Sequence, residues 1–134
     1  MSDYDELAYY TLAHGDPAFI HQYVVDAYTA QNANESTKPI AFTFALAGLY
    51  LHCEKNFTGR QVQLAHMKMA KRKRDWPKFD LPANRGSITA ADVLKTPPGP
   101  ERDKAIDAWA AAVWDAFRVN RQAVIELLRQ YDLA

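Results

Sequence analysis

Pro39-Ile40-Ala41-Phe42-Thr43-Phe44-Ala45-Leu46-Ala47-Gly48-Leu49-Tyr50-Leu51-His52-Cys53 decides the fold. Apolar residues run through it with no period of two, so it reads as a helix. They occupy every side of that helix, so other helices must cover it on all sides. The run is shorter than the roughly 20 residues of a membrane span. Polar Lys38, Glu54 and Lys55 bound it. The expectation is a central core helix over about 38–55. Its small residues Ala41, Ala45, Gly48 and then His52 form one stripe that lets a second helix approach closely. Thr43, Tyr50 and Glu54 form its only polar side.

Capping signals delimit the neighbours. A first helix is expected from Asp3, with Glu6 three residues on, to His14-Gly15. Asp16-Pro17 reads as N-cap and first turn of a second helix running to Gln31. Thr58-Gly59-Arg60-Gln61 is a capping box opening a fourth helix toward Arg74. Prolines 77 and 82 and Gly86 make 75–88 an irregular connection, which Trp76 and Phe79 should pin to the core. Thr89-Ala90-Ala91-Asp92 caps a short helix. Pro100-Glu101-Arg102-Asp103 opens the last one, expected to reach Tyr131 with a break near Asn120. The sum is an all-α fold. It is a compact bundle of four main helices plus two short ones in a single domain over 1–134.

Composition narrows the partners. Lys plus Arg and Asp plus Glu both number 16, and this balance disfavours a dedicated nucleic-acid binder. The one cysteine, Cys53, sits in the apolar run and cannot form an internal disulfide. The opening Met1-Ser2-Asp3-Tyr4-Asp5-Glu6 is acidic where a secretion signal is basic and then apolar. A cytoplasmic protein with no membrane segment is expected. Lys71-Arg72-Lys73-Arg74 is the one charge run and reads as a solvated helix end.

Each helical residue turns the chain by about 100°. On the second helix this gathers Gln22, Asp26 and Thr29 on one stripe, with Tyr23, Val24, Ala27 and Ala30 opposite. His21 and Gln31 fall on the apolar side, His21 one and two turns from Val24, Val25 and Tyr28. On the fourth helix His66 lies in the stripe Val62, Ala65, Met69 and Ala70, opposite Arg60, Leu64, Lys68 and Lys71. In the last helix Ile106 to Tyr131 recur on one stripe, Asn120 is its polar member, and Trp114 lies off it. His21, His52 and His66 thus point inward from three helices, whereas His14 sits at a helix end. Buried imidazoles must be hydrogen-bonded or must ligate a metal. A joint site of His21, His52 and His66 would suit a divalent ion such as zinc or nickel, with Asp26, Glu54, Asp107 or Asp115 completing it. The competing expectation is that each is satisfied locally.

The run His21-Gln22-Tyr23-Val24-Val25-Asp26-Ala27-Tyr28-Thr29-Ala30-Gln31 resembles the signature of a bacterial family, domain of unknown function 5946. Gly48-Leu49-Tyr50-Leu51 with Glu54, and Trp109 with Val113-Trp114, fit the same pattern, over about Leu7 to Leu128. The resemblance implies that His21, Asp26, Tyr28 and Gln31 belong together. A more distant likeness is to DinB-like helical bundles, which hold a divalent metal with three histidines. The last helix here carries no histidine and departs from that pattern. Two functions follow as expectations. One is a binding or interaction module with a small-molecule pocket at His21, Asp26, Tyr28 and Gln31, and with aromatic surface for a homodimer. The other is a metal-dependent enzyme using the inward histidines.

Overall fold

The computed structural model describes residues 1–14, 16–72 and 75–134. Among them are α1 (Asp3–Ala13), α2 (His21–Gln31), α3 (Pro39–Lys55), α4 (Gly59–Ala70), α5 (Ala90–Leu94), α6 (Pro100–Ala116), a 3-10 turn (Arg118–Asn120) and α7 (Arg121–Arg129), with no strand. The chain is all-α, as its apolar periodicity requires. No helix among the described residues is long and apolar enough to cross a membrane.

α3 is the central post. Residues 45–51 are all buried, and α2, α4, α6 and α7 pack around it. Ala45 and Gly48 of the small-residue stripe are inside, Ala41 is exposed, and His52 is half-buried at the far end. α1 lies outside α2 and also touches α5, which in turn packs on α6. One continuous core results, with Leu46, Leu49, Trp109, Phe117 and Tyr131 sealed from solvent.

The capping boxes at Thr58–Gln61 and Thr89–Asp92 form as the sequence indicates. At α1 the box is one residue earlier, Ser2 with Asp5, because the Ser2 hydroxyl accepts from the Asp5 amide at 3.1 Å. α4 ends at Ala70 rather than Arg74, and Lys73 and Arg74 lie outside the described residues. Lys71 caps α4, while Arg72 donates to the Gln130 carbonyl at 2.6 Å and lies over the Tyr131 ring.

The start of α2 departs most from expectation. Asp16 does not cap a helix at Pro17. Its side chain accepts from the Ala18 amide at 2.8 Å, closing a turn, and Phe19 takes a left-handed backbone with φ 59°. α2 begins only at His21, without a side-chain cap. A tertiary contact overrides the local signal here. The Arg60 amide, in the first turn of α4, donates to the Ala18 carbonyl at 2.9 Å, and the Arg60 guanidinium covers the Phe19 ring. A positive φ is costly for a bulky residue and persists only where its surroundings impose it.

The last helix breaks where Asn120 was expected to break it. Asn120, 3% exposed, receives the Asp80 amide at 2.8 Å and donates to the Asp80 carbonyl at 3.0 Å. This matched pair ties the irregular connection to the bundle. Phe79 packs edge-on to Phe42, and Trp76 packs edge-on to Phe44. Trp114, placed off the buried stripe by projection, is in fact buried. Its indole donates to Glu54 at 2.7 Å, and Arg121 grips the same carboxylate with two nitrogens. That bidentate pair and desolvation compete at Glu54, the pair winning and holding its carboxyl below the usual range.

Gly59 is the tightest point of the α4 start, since a Cβ there would lie 1.8 Å from the Phe19 carbonyl oxygen. Replacing glycine by alanine in a helix ordinarily gains up to about 1 kcal/mol. Gly59→Ala is expected instead to lose about 2 kcal/mol or more, because backbone rather than a side-chain tip must move. Urea unfolding of the variant checks this, with a gain in stability as the contrary result.

Candidate functional site

The four residues of α2 singled out by sequence do not meet in one pocket. His21 turns toward α1, where its Nδ1 lies 2.9 Å from the Thr11 hydroxyl. Thr11 already donates to a carbonyl of its own helix, Leu7 at 3.0 Å, so the imidazole N–H is the donor to Thr11. Burial lowers the His21 pKa, which keeps the ring neutral.

Asp26 turns the opposite way, into the seam between α2 and α3. It is 3% exposed. Its Oδ1 accepts from Gln22 Nε2 at 3.1 Å, and its Oδ2 has no partner. The space it fills is the space left by Gly48: a Cβ on that residue would stand 1.9 Å from Asp26 Oδ2 and 3.1 Å from a Val62 methyl. No cation faces it. Desolvation therefore dominates and pushes the carboxyl well above the usual range, with only the Gln22 amide acting against it. Burial thus favours the neutral form of Asp26, which lies inside the seam and does not face solvent.

Gln31 is consumed by structure. Its amide nitrogen donates to the Ile88 carbonyl at 2.7 Å and the Arg85 carbonyl at 3.2 Å, and its oxygen accepts from the Trp109 indole at 3.0 Å. Arg85 replies by donating to the carbonyls of Ala30, Gln31 and Ala33 at the end of α2, the last at 2.9 Å. Gln31 and Arg85 thus clamp the 82–88 segment onto the C-terminus of α2.

That clamp builds one wall of a cleft of about 630 Å³ between the start of α1, the end of α2 and the start of α5. Tyr28 and Gln31 line it with Asp3, Asn32, Arg85 and Thr89. Of the four expected residues, these two share a site. The Tyr28 ring leans on Tyr4 at a centroid distance of 4.7 Å. Asn32 donates to the Tyr28 carbonyl at 2.9 Å, which leaves its own side-chain oxygen to face outward. Asp3, Arg85 and Thr89 lie on segments far apart in sequence that no helical projection relates to α2, whereas Asn32, the C-cap of α2, lies one helical turn past Tyr28.

The three inward histidines form no joint metal site. His66 donates to the Phe44 carbonyl at 2.7 Å and stacks on the Phe44 ring, and burial lowers its pKa to about 4. His52 stacks on Tyr23 with centroids 3.6 Å apart. Its Nδ1 lies 3.1 Å from the Phe57 carbonyl, and its Nε2 contacts the Asp107 carboxylate. His21 is bonded to Thr11 on α1, as above. Among the described residues no group of three His, Cys, Asp or Glu gathers to hold an ion. His21, His52 and His66 thus meet separate partners rather than one another, because helical projection fixes the direction of each ring but not its depth along the bundle. Burial and the Asp107 carboxylate also push the Cys53 thiol up to about 12, far from a nucleophilic thiolate.

Two pH effects follow from linkage. Folded Asp26 keeps a proton that an unfolded aspartate releases near its ordinary 3.8, so stability is full below that pH and falls as pH rises toward the folded value. Asp26→Asn should raise stability at pH 7 and remove this downward slope. His66 does the reverse: folded it titrates at about 4 and unfolded at 6.5, so stability is full above 6.5 and is lost as pH falls toward 4. His66→Gln should flatten that acid limb. Urea midpoints measured across pH 3.5–8, on the order of ten points, test both, and an unchanged profile in either variant contradicts its assignment.

The comparisons with known proteins speak to family and not to chemistry. No curated protein and no solved structure matches the chain. One family model does, over residues 1–118, from the N-terminus through the end of α6. α2, α3 and α6, which carry the resemblance seen in the sequence, fall inside it. This chain belongs to the family of unknown function DUF5946.

Proposed function

We propose that the protein is a binding module whose small-molecule cleft lies between the start of α1, the end of α2 and the start of α5. The observation that supports this is the division of labour in the cleft walls. Gln31 and Arg85 are held by backbone and indole partners and give the cleft a fixed shape. The Tyr28 hydroxyl, the Asn32 side-chain oxygen and the Asp3 carboxylate have no partner among the described residues. Fixed walls with a few free polar groups are what a small-ligand site requires. The ligand class is a compact molecule with hydrogen-bond donors, a primary amine above all, set beside Asp3 and the Tyr28 ring. The lone, half-buried Cys53 suits a cytoplasmic setting.

The metal-enzyme reading has less support. Both nitrogens of His52 face acceptors within the protein, and His66 and His21 are held by Phe44 and Thr11. None is placed to share a substrate with another.

Titration of the labelled protein with a panel of primary amines, short carboxylates and nucleosides, read by amide NMR shifts, tests the proposal. Amines should perturb Tyr28, Asn32 and Thr89–Ala91 together, and Tyr28→Ala should weaken the best of them at least about tenfold. Perturbations confined to other surfaces, or none from any compound, would overturn it.

A further inference from the structure

The chain is neutral overall, yet its charge is sharply segregated. Residues 1–37 hold six acidic side chains and no Lys or Arg, whereas residues 55–74 hold seven Lys and Arg and no acid. Each block contributes one outward helix face. On α1, Asp5, Glu6, Tyr9 and Leu12 recur at three- and four-residue steps, so they share a face. Asp5 and Glu6 are exposed, and Tyr9 and Leu12 are 70% and 59% exposed. On α4, Leu64, Met67, Lys68 and Lys71 share a face in the same way. Leu64 and Met67 are 56% and 53% exposed. Lys68 and Lys71 have no acidic partner among the described residues.

The two faces match. Each has like charges toward one end and an apolar pair beside them. The helices have 11 and 12 residues, so both span about 16–18 Å. Laid antiparallel, Asp5 and Glu6 meet Lys71 and Lys68, while Tyr9 and Leu12 meet Met67 and Leu64. The contact is not made within one chain: α1 and α4 each pack on α2 and make no appreciable contact with each other.

We propose that the α1 face of one copy docks on the α4 face of a second copy. Arranged about a two-fold axis, the contact forms twice and closes the dimer. Four exposed apolar side chains are then covered in each of two patches. The unpaired lysines gain carboxylates, which makes association salt-dependent. This inference is independent of the cleft between α1, α2 and α5.

Sedimentation velocity of the full chain at about 100 µM, in about 50 mM and about 500 mM salt, tests it. A dimer is expected at low salt and at least about tenfold weaker association at high salt. Glu6→Lys and Lys68→Glu should each weaken the dimer about tenfold or more, and the two together should restore it, because the exchanged charges pair again. Both positions are exposed, and circular dichroism checks that the variants fold. A monomer at low salt, or a dimer indifferent to both reversals, overturns the proposal. So does monomeric protein that binds phosphatidylserine vesicles or single-stranded DNA through Lys68 and Lys71, which would assign the basic face to a membrane or a nucleic acid.

Discussion

The approach of α2 to α3 at Gly48 governs the rest of the structure. A Cβ at this position would overlap the Asp26 carboxyl, so the glycine is what allows an acid to lie inside the seam. α2 thereby becomes an inner helix, with α1, α4 and α6 on its other sides. The seam also explains why the polar stripe of α2 is no solvent face. Gln22 is partly buried and spends its amide on Asp26, and the second carboxyl oxygen is left to be neutral rather than paired. An unpaired buried oxygen costs on the order of 1–3 kcal/mol, and the burial of α3 along its whole middle is what offsets it.

Polar side chains elsewhere inside the bundle act as braces between segments that secondary structure alone would not connect. Gln31 and Arg85 fasten 82–88 to α2, Asn120 fastens Asp80 to the last turn before α7, and Glu54 gathers Trp114 and Arg121 against α3. Each such set satisfies donors and acceptors of irregular backbone that would otherwise be buried without partners. This is why a chain with a long non-helical connection still folds around one core.

Much of this was legible in the sequence, and the failures have identifiable causes. The apolar run 39–53, the capping boxes at Thr58 and Thr89 and the break at Asn120 are local signals, and local physics decided them. Asp16-Pro17 was a strong local signal that lost to a tertiary one, the α4 start seated on Ala18 and Phe19. Helical projection gave the inward direction of His21, His52 and His66, but whether they converge depends on axial offsets between helices that a single chain's periodicity does not encode. The same limit hid Asp3, Arg85 and Thr89 from the cleft. The family match over 1–118 includes α2, α3 and α6, which carry the resemblance, and the run His21 to Gln31 packs between helices with Tyr28 and Gln31 reaching the cleft wall.

The function proposed here depends on α2 being a fixed inner scaffold rather than a polar surface helix, and Asp26 reports on that directly. Titration of the Asp26 side-chain carboxyl carbon by NMR, in protein labelled at aspartate, is the decisive measurement. The account predicts that Asp26 retains the protonated shift well above the ordinary aspartate value of 3.8. A carboxyl that ionises at the ordinary value of a solvated aspartate would place Asp26 in solvent and contradict the buried seam on which the architecture rests.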